Sequence, residues 1–143
     1  MTTTGVSIPA SPEMKLLCAC LAPGRIPAAP AQSVDWSRFL GLATNHHVLP
    51  LVHRALKNAI QSDLAVPEEY RVYLHRLCLA ISANNLRATA ILRRLQERLA
   101  AAGIRLVPVK GPALAVLAYG DTALRQFEDL DLLVARKDLL QAV

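Results

Sequence analysis

From Pro67 to Gly103 the chain keeps one helical rhythm, and this run constrains the fold more than any other stretch. Pro67 followed by Glu68 and Glu69 reads as a helix start, with acids at the positive end of the helix dipole. Leu74, Leu77, Cys78, Ile81, Leu92, Leu95 and Leu99 recur at helical spacing. Gly103 is a natural residue for leaving the helix. The pattern predicts one long helix, or two broken near Asn84-Asn85. It leads straight into Ile104–Val109, which reads as a strand. Aromatics make up only 4% and the bulk is Leu, Ala and Val, so helices are favoured over an all-β sandwich.

Upstream the signals are also helical. Ser11 followed by Pro12 and Glu13 predicts an N-cap and first turn, opening a short helix through about Leu21. Residues 22–34, APGRIPAAPAQSV, hold three prolines and a glycine and predict an irregular connection. Asp35 or Ser33 then starts a helix with Trp36, Phe39, Leu40 and Ala43 on one apolar face. Pro50 sits near the start of another helical segment, with Leu51, Val52, Leu56 and Ile60 inward. The expected organisation is a flexible tail at 1–10, a helical region at 11–102, and the start of an α/β domain at 103–143. The fold class is therefore α+β, a mixed α/β arrangement.

Composition excludes several classes. With 53% hydrophobic residues in 143, the chain has ample material for a packed core. No apolar run approaches the roughly 18 residues needed to span a bilayer. The opening MTTTGVSIPASPEMK lacks the basic start and apolar region of a secretion signal, so a cytoplasmic protein is expected. Cys18, Cys20 and Cys78 fall in apolar helical stretches with no second pair to complete a zinc site, and read as buried reduced thiols. His46 and His53, seven apart, read as one helical face, and with His47 they lack a further ligand for a metal. They are taken as partly buried or surface histidines. The net charge of +5 is uneven. Residues 64–105 carry seven Arg against three Glu, whereas residues 110–143 are net acidic by one charge. The arginines read as a solvated helix face; without an aromatic platform or recognition motif, nucleic acid is not expected as a partner.

The chemistry concentrates in residues 109–134. Asp129-Leu130-Asp131 precedes the apolar run Leu132-Leu133-Val134 and reads as the start of a buried strand of about Leu130–Ala135. Side chains at i and i+2 of a strand project on the same face, roughly 7 Å apart along it. Two hard anionic ligands in that arrangement suit Mg²⁺. Arg125 is the competing partner, which would make the pair a simple ion-paired strand end. The junction Lys110-Gly111-Pro112 lies between a strand and a predicted helix. There a glycine lets the backbone approach a phosphate, and the free amides of the helix start face it. Metal ligands beside a phosphate cradle point to chemistry on a nucleotide.

Residues from about Asn84 to the C-terminus resemble the bacterial nucleotidyltransferase family proteins of the polymerase-beta-like nucleotidyltransferase superfamily. The likeness rests on the helix ending at Gly103, then Ile104–Gly111, Leu117–Asp121, Arg125 and Asp129–Val134. The Asp35-Trp36 and His46–Pro50 segments are similar to that group as well. The resemblance implies an incomplete nucleotidyltransferase-type mixed sheet with flanking helices. It implies catalytic, metal-ligating Asp129 and Asp131 holding Mg²⁺ (or Mn²⁺), with Lys110, Gly111 and Arg125 binding phosphate. The implied reaction moves a nucleoside monophosphate from an NTP to a hydroxyl acceptor. The chain departs from the superfamily pattern in having Lys110 before and Pro112 after the glycine, and in a spacing of eighteen residues to Asp129. The sequence ends twelve residues after Asp131, short of the later strand that supplies a third carboxylate in the superfamily. A truncated product is therefore expected, or a half completed by a second chain, and activity of this form alone is in question. The alternative is a non-catalytic helical interaction module that retains a relic nucleotide-binding segment.

Overall fold

Helix ends in this protein follow local chemistry. The computed structural model describes residues 11–22, Ile26, 34–58 and 66–142. In helix α1, Pro12–Leu21, the Ser11 hydroxyl accepts from the Met14 amide at 3.3 Å and Pro12 occupies the first turn. Helix α2, Trp36–Asn45, is capped by Asp35, whose carboxylate accepts from the Arg38 amide at 3.0 Å. Asp35 is thus the N-cap of α2, and Ser33 lies outside the described residues. Helix α3 follows at Leu49–Asn58.

Helix α4 runs unbroken from Glu68 to Ala101, 34 residues or about 51 Å at 1.5 Å per residue. It does not break at Asn84-Asn85. It ends in a Schellman arrangement, with Gly103 at φ +74, the Gly103 amide on Ala100 O at 2.9 Å and the Ile104 amide on Leu99 O at 2.8 Å. The same bonding closes α2, where His47 takes φ +54 and the Val48 amide reaches Ala43 O. His46 caps α2 and His53 belongs to α3, so the two do not share a helical face. That expectation failed because the turn at 46–48 interrupts the helical period.

The main core lies among α1, α2, α3 and the first half of α4. Trp36, Phe39, Leu40 and Ala43 are all buried, as are Leu16, Leu17, Val52, Leu56, Leu74 and Cys78. Trp36 meets Phe39 edge-on with ring centroids 5.6 Å apart. Glu13 is buried as well and ties α1 to α2, accepting from the Asp35 amide at 3.2 Å. Its pKa lies below the ordinary carboxyl range, held down chiefly by the Ser11 hydroxyl and then by that amide. Cys20 and Cys78 are buried, and desolvation pushes their thiols up to about 12 and about 11. Cys18 is exposed, against the expectation of burial, since α1 turns that side outward.

Beyond Gly103 the chain is α+β. Strand β1, Leu106–Pro108, pairs antiparallel with strand β2, Leu132–Val134, in the register Leu106 to Val134 and Pro108 to Leu132. Between them lie helix α5, Pro112–Tyr119, and a 3₁₀ turn, Thr122–Leu124; a second 3₁₀ turn and the short helix α6, Leu139–Ala142, follow β2. Both strands are shorter than the apolar runs suggested, so Asp129 and Asp131 precede β2 instead of starting it. Leu132-Leu133-Val134 reads as a strand covered on both faces, but Leu133 is exposed, as are Val107 across from it and Val109 two residues further on. Buried apolar groups are few here: Ile104, Ala115 and Phe127, with Leu92 of α4. Residues 1–10, most of 22–34, and Ile60 lie outside the described residues. Among the described residues no helix is long and apolar enough to cross a membrane.

Candidate functional site

Antiparallel pairing brings two segments eighteen residues apart into contact. Beyond the last strand pair the Val109 amide donates to Asp131 O at 2.9 Å, carrying the ladder one step past β1 and β2. The next residues, Lys110 and Gly111, therefore lie against Asp129–Asp131. Gly111 caps α5 with φ +59 and ψ −130, a backbone state open chiefly to glycine. A Cβ there would lie 3.4 Å from Leu130 Cδ2 and 3.5 Å from Asp129 O. Space is thus tight, and the dihedral is the stronger reason for glycine. Pro112 occupies the first position of α5, so the first-turn amides of Ala113 and Leu114 have no intrahelical acceptor.

Lys110 Nζ lies 3.1 Å from Asp131 Oδ2. Both side chains are well exposed, so this pair is worth only about 0–1 kcal/mol. A pair that weak is easily exchanged for a phosphate on the lysine and a cation on the carboxylate. Asp129 is exposed and makes no ion pair among the described residues.

Arg125 does not join either carboxylate. Its guanidinium stands 6.0 Å from the Phe127 ring centroid, and its Nη1 is buried without a hydrogen-bond partner. The simple ion-pair reading of Asp129 and Asp131 therefore names the wrong base, because Lys110 takes that place. A buried guanidinium nitrogen lacking an acceptor is costly and suits an anion.

Sequence reasoning missed Asn85. It is 1% exposed in the middle of α4, and its Nδ2 donates to Thr122 O at 2.7 Å and Arg125 O at 2.8 Å. This side chain fastens the 122–125 turn to α4 and so sets where Arg125 and Phe127 begin. The signal was present: Leu74, Cys78, Ile81, Asn85 and Leu92 fall on one stripe of the helix, and Asn85 is its polar member. Asp121 has a local task, its carboxylate accepting from the Ala123 amide at 2.8 Å.

The donor chemistry of Asp129 and Asp131, hard carboxylate oxygens two positions apart, fits two ligands of a divalent cation such as Mg²⁺. Among the described residues no group of three or more His, Cys, Asp or Glu side chains gathers at one point, so a third protein ligand is not found there. The arginines of α4 are exposed and spread along the helix, Arg71 paired with Glu68 and Arg93 with Glu97, as a solvated face would be.

The model of a family described as an uncharacterised nucleotidyltransferase matches residues 32–143. No curated protein and no solved structure matches the chain.

Proposed function

The chain belongs to this uncharacterised nucleotidyltransferase family, and from that premise we propose a metal-dependent transfer of a nucleoside monophosphate from an NTP to a hydroxyl acceptor. In this reading Asp129 and Asp131 hold Mg²⁺ (or Mn²⁺), which when bound neutralises charge on the triphosphate and on the departing pyrophosphate. Lys110 leaves Asp131 for a phosphate oxygen. Gly111 lets the triphosphate approach the start of α5, where the Ala113 and Leu114 amides donate. Arg125 supplies a further guanidinium to phosphate charge. The acceptor oxygen bonds to the α-phosphorus, the bond to the β-phosphate oxygen breaks, pyrophosphate leaves with the electron pair, and the hydroxyl proton passes to water.

The observation that carries this reading is the meeting of Gly111 with the Asp129 backbone and of Lys110 with Asp131. One strand pair thereby brings Lys110-Gly111 against Asp129–Asp131, which supports reading the two segments as one site. A third carboxylate would come from an element added to the sheet, from a second chain or a further segment. The edge of β2 is the better acceptor for it. Since the Val109 amide points to β2, the position of Pro108 faces outward and leaves the outer edge of β1 one donor short. The compartment proposed is the cytoplasm.

Calorimetric titration of an NTP with and without Mg²⁺ tests the assignment, with the Asp129→Asn/Asp131→Asn double variant alongside. Metal-dependent binding that weakens at least about tenfold in the variant is expected. Equal affinity in both proteins would remove the carboxylates from the site.

The outer face of α4 favours a second reading, an interaction module without catalysis. Tyr73, Leu79, Leu86 and Ile91 are all more than half exposed along it. A folded chain that binds no NTP would move the balance to that reading.

A further inference from the structure

Between α3 and the first turns of α4 lies a cavity of about 580 Å³, a size typical of small-molecule sites. None of the residues at the Lys110–Asp131 site lines it. Leu56 and Leu74 form an apolar, buried floor, continued by Val66. The rim is basic. Lys57, Arg71 and Arg76 bring three formal positive charges, with His53 and His75 between them. Glu68 is the one acid among the described lining residues, and its carboxylate is engaged by Arg71. Lys57 and Arg76 have no acidic partner among the described residues.

The two histidines are close enough to feel one another. Their ring centroids are 5.4 Å apart with planes tilted by 36°. Burial, and then the charges of His75 and Lys57, hold the His53 pKa below the ordinary histidine value. Lys57 and Arg76, with no acidic partner among the described residues, add like charge round the apolar hollow. An anion seated in the hollow offsets that charge and gives the cluster a purpose.

We propose that this cavity is a second ligand site, independent of the nucleotide site, for a small organic phosphate monoester with an apolar body. The phosphate meets Lys57, Arg71 and the His53–His75 pair, and the apolar body lies on Leu56 and Leu74. A phosphate suits the rim better than a carboxylate, because its nearly two negative charges and three oxygens match several separated cations. Binding favours the charged imidazole of His53, while the phosphate loses its second charge at a pKa of about 6, so affinity passes through a maximum in the histidine range and does not rise steadily as pH falls. His53 and Lys57 from α3, and Glu68, Arg71, His75 and Arg76 from α4, are the groups that set this dependence.

Hexyl phosphate is the probe, with 1-hexanol and inorganic phosphate as its two halves, and imidazole proton resonances of the full chain are followed by NMR. His53→Gln identifies the His53 signal. Saturable binding of hexyl phosphate is expected, with an upward move of the His53 titration midpoint. Each half alone should bind at least about tenfold more weakly. Lys57→Met and Arg71→Met, both at exposed positions, should each weaken hexyl phosphate about tenfold, while Asp129→Asn/Asp131→Asn leaves it unchanged. No saturation, hexanol binding as tightly as the phosphate, or an unmoved His53 midpoint overturns the proposal. So does binding that ignores Lys57 and Arg71 but responds to the Asp129/Asp131 variant.

Discussion

Gly111 is the residue on which the proposed phosphate turn depends. An alanine there keeps φ near +59 at a cost of about 1–3 kcal/mol, or moves the turn away from Asp129. Gly111→Ala should therefore lower stability by about 1–3 kcal/mol in urea unfolding and weaken NTP binding further than a stability loss alone explains. An unchanged urea midpoint would mean that the turn does not hold this dihedral in solution. His47 occupies a comparable left-handed position at φ +54, and the difference is instructive. His47 ends a helix on the surface, where its side chain is exposed, whereas Gly111 is buried against Leu130 and Phe127. Lys110 is a third residue whose meaning came from its neighbour. Its sequence position suggested phosphate, and its contact with Asp131 shows where the charge rests meanwhile.

Helix α4 joins the two parts of the protein, and Asn85 is its point of attachment to the second. Two side-chain hydrogen bonds to carbonyls 37 and 40 residues away hold the 122–125 turn. Asn85→Ala strands both carbonyls in a partly buried setting, for an expected loss of about 2–3 kcal/mol. Hydrogen exchange should localise the damage to residues 121–131 and leave α1–α3 unaffected. If α1–α3 loosened equally, the bonds would be supporting the whole helix and not the turn. The helix itself was legible because its signals are short-range: Pro67, Glu68 and Glu69 at one end, Gly103 at the other, and an apolar stripe between. Of the two alternatives, one long helix or a break near Asn84-Asn85, the unbroken helix is the one that forms, which illustrates the limit of propensity. A residue poor in a helix interior is tolerated where tertiary bonds occupy its amide.

At the scale of the molecule, burial is unevenly shared. The core gathers on α1–α3 and the first half of α4, whereas Leu117, Leu133, Leu139 and Leu140 on the later elements are more than half exposed. A two-stranded sheet is marginal by itself. Hydrogen exchange of the chain without ligand should show β1, β2 and α5 opening well before the amides of α2, α3 and early α4. Uniform protection across both regions would mean that the second part is as well supported as the first. Added NTP and Mg²⁺ should slow exchange in the second part selectively, since a ligand stabilises the state it binds.

What the sequence determined by itself was local: where helices begin and end, and that a strand follows Gly103. Caps, dihedral preferences and periodicity act over a few residues, so they are written in short stretches of chain. Tertiary structure decided that Lys110 and not Arg125 pairs with Asp131, that Asn85 holds the turn before Phe127, and that α3 and α4 enclose a basic cavity. Each of these depends on groups well separated in the chain, by 37 and 40 residues for the two bonds of Asn85. Only the balance of packing and hydrogen bonding over the folded molecule brings them together.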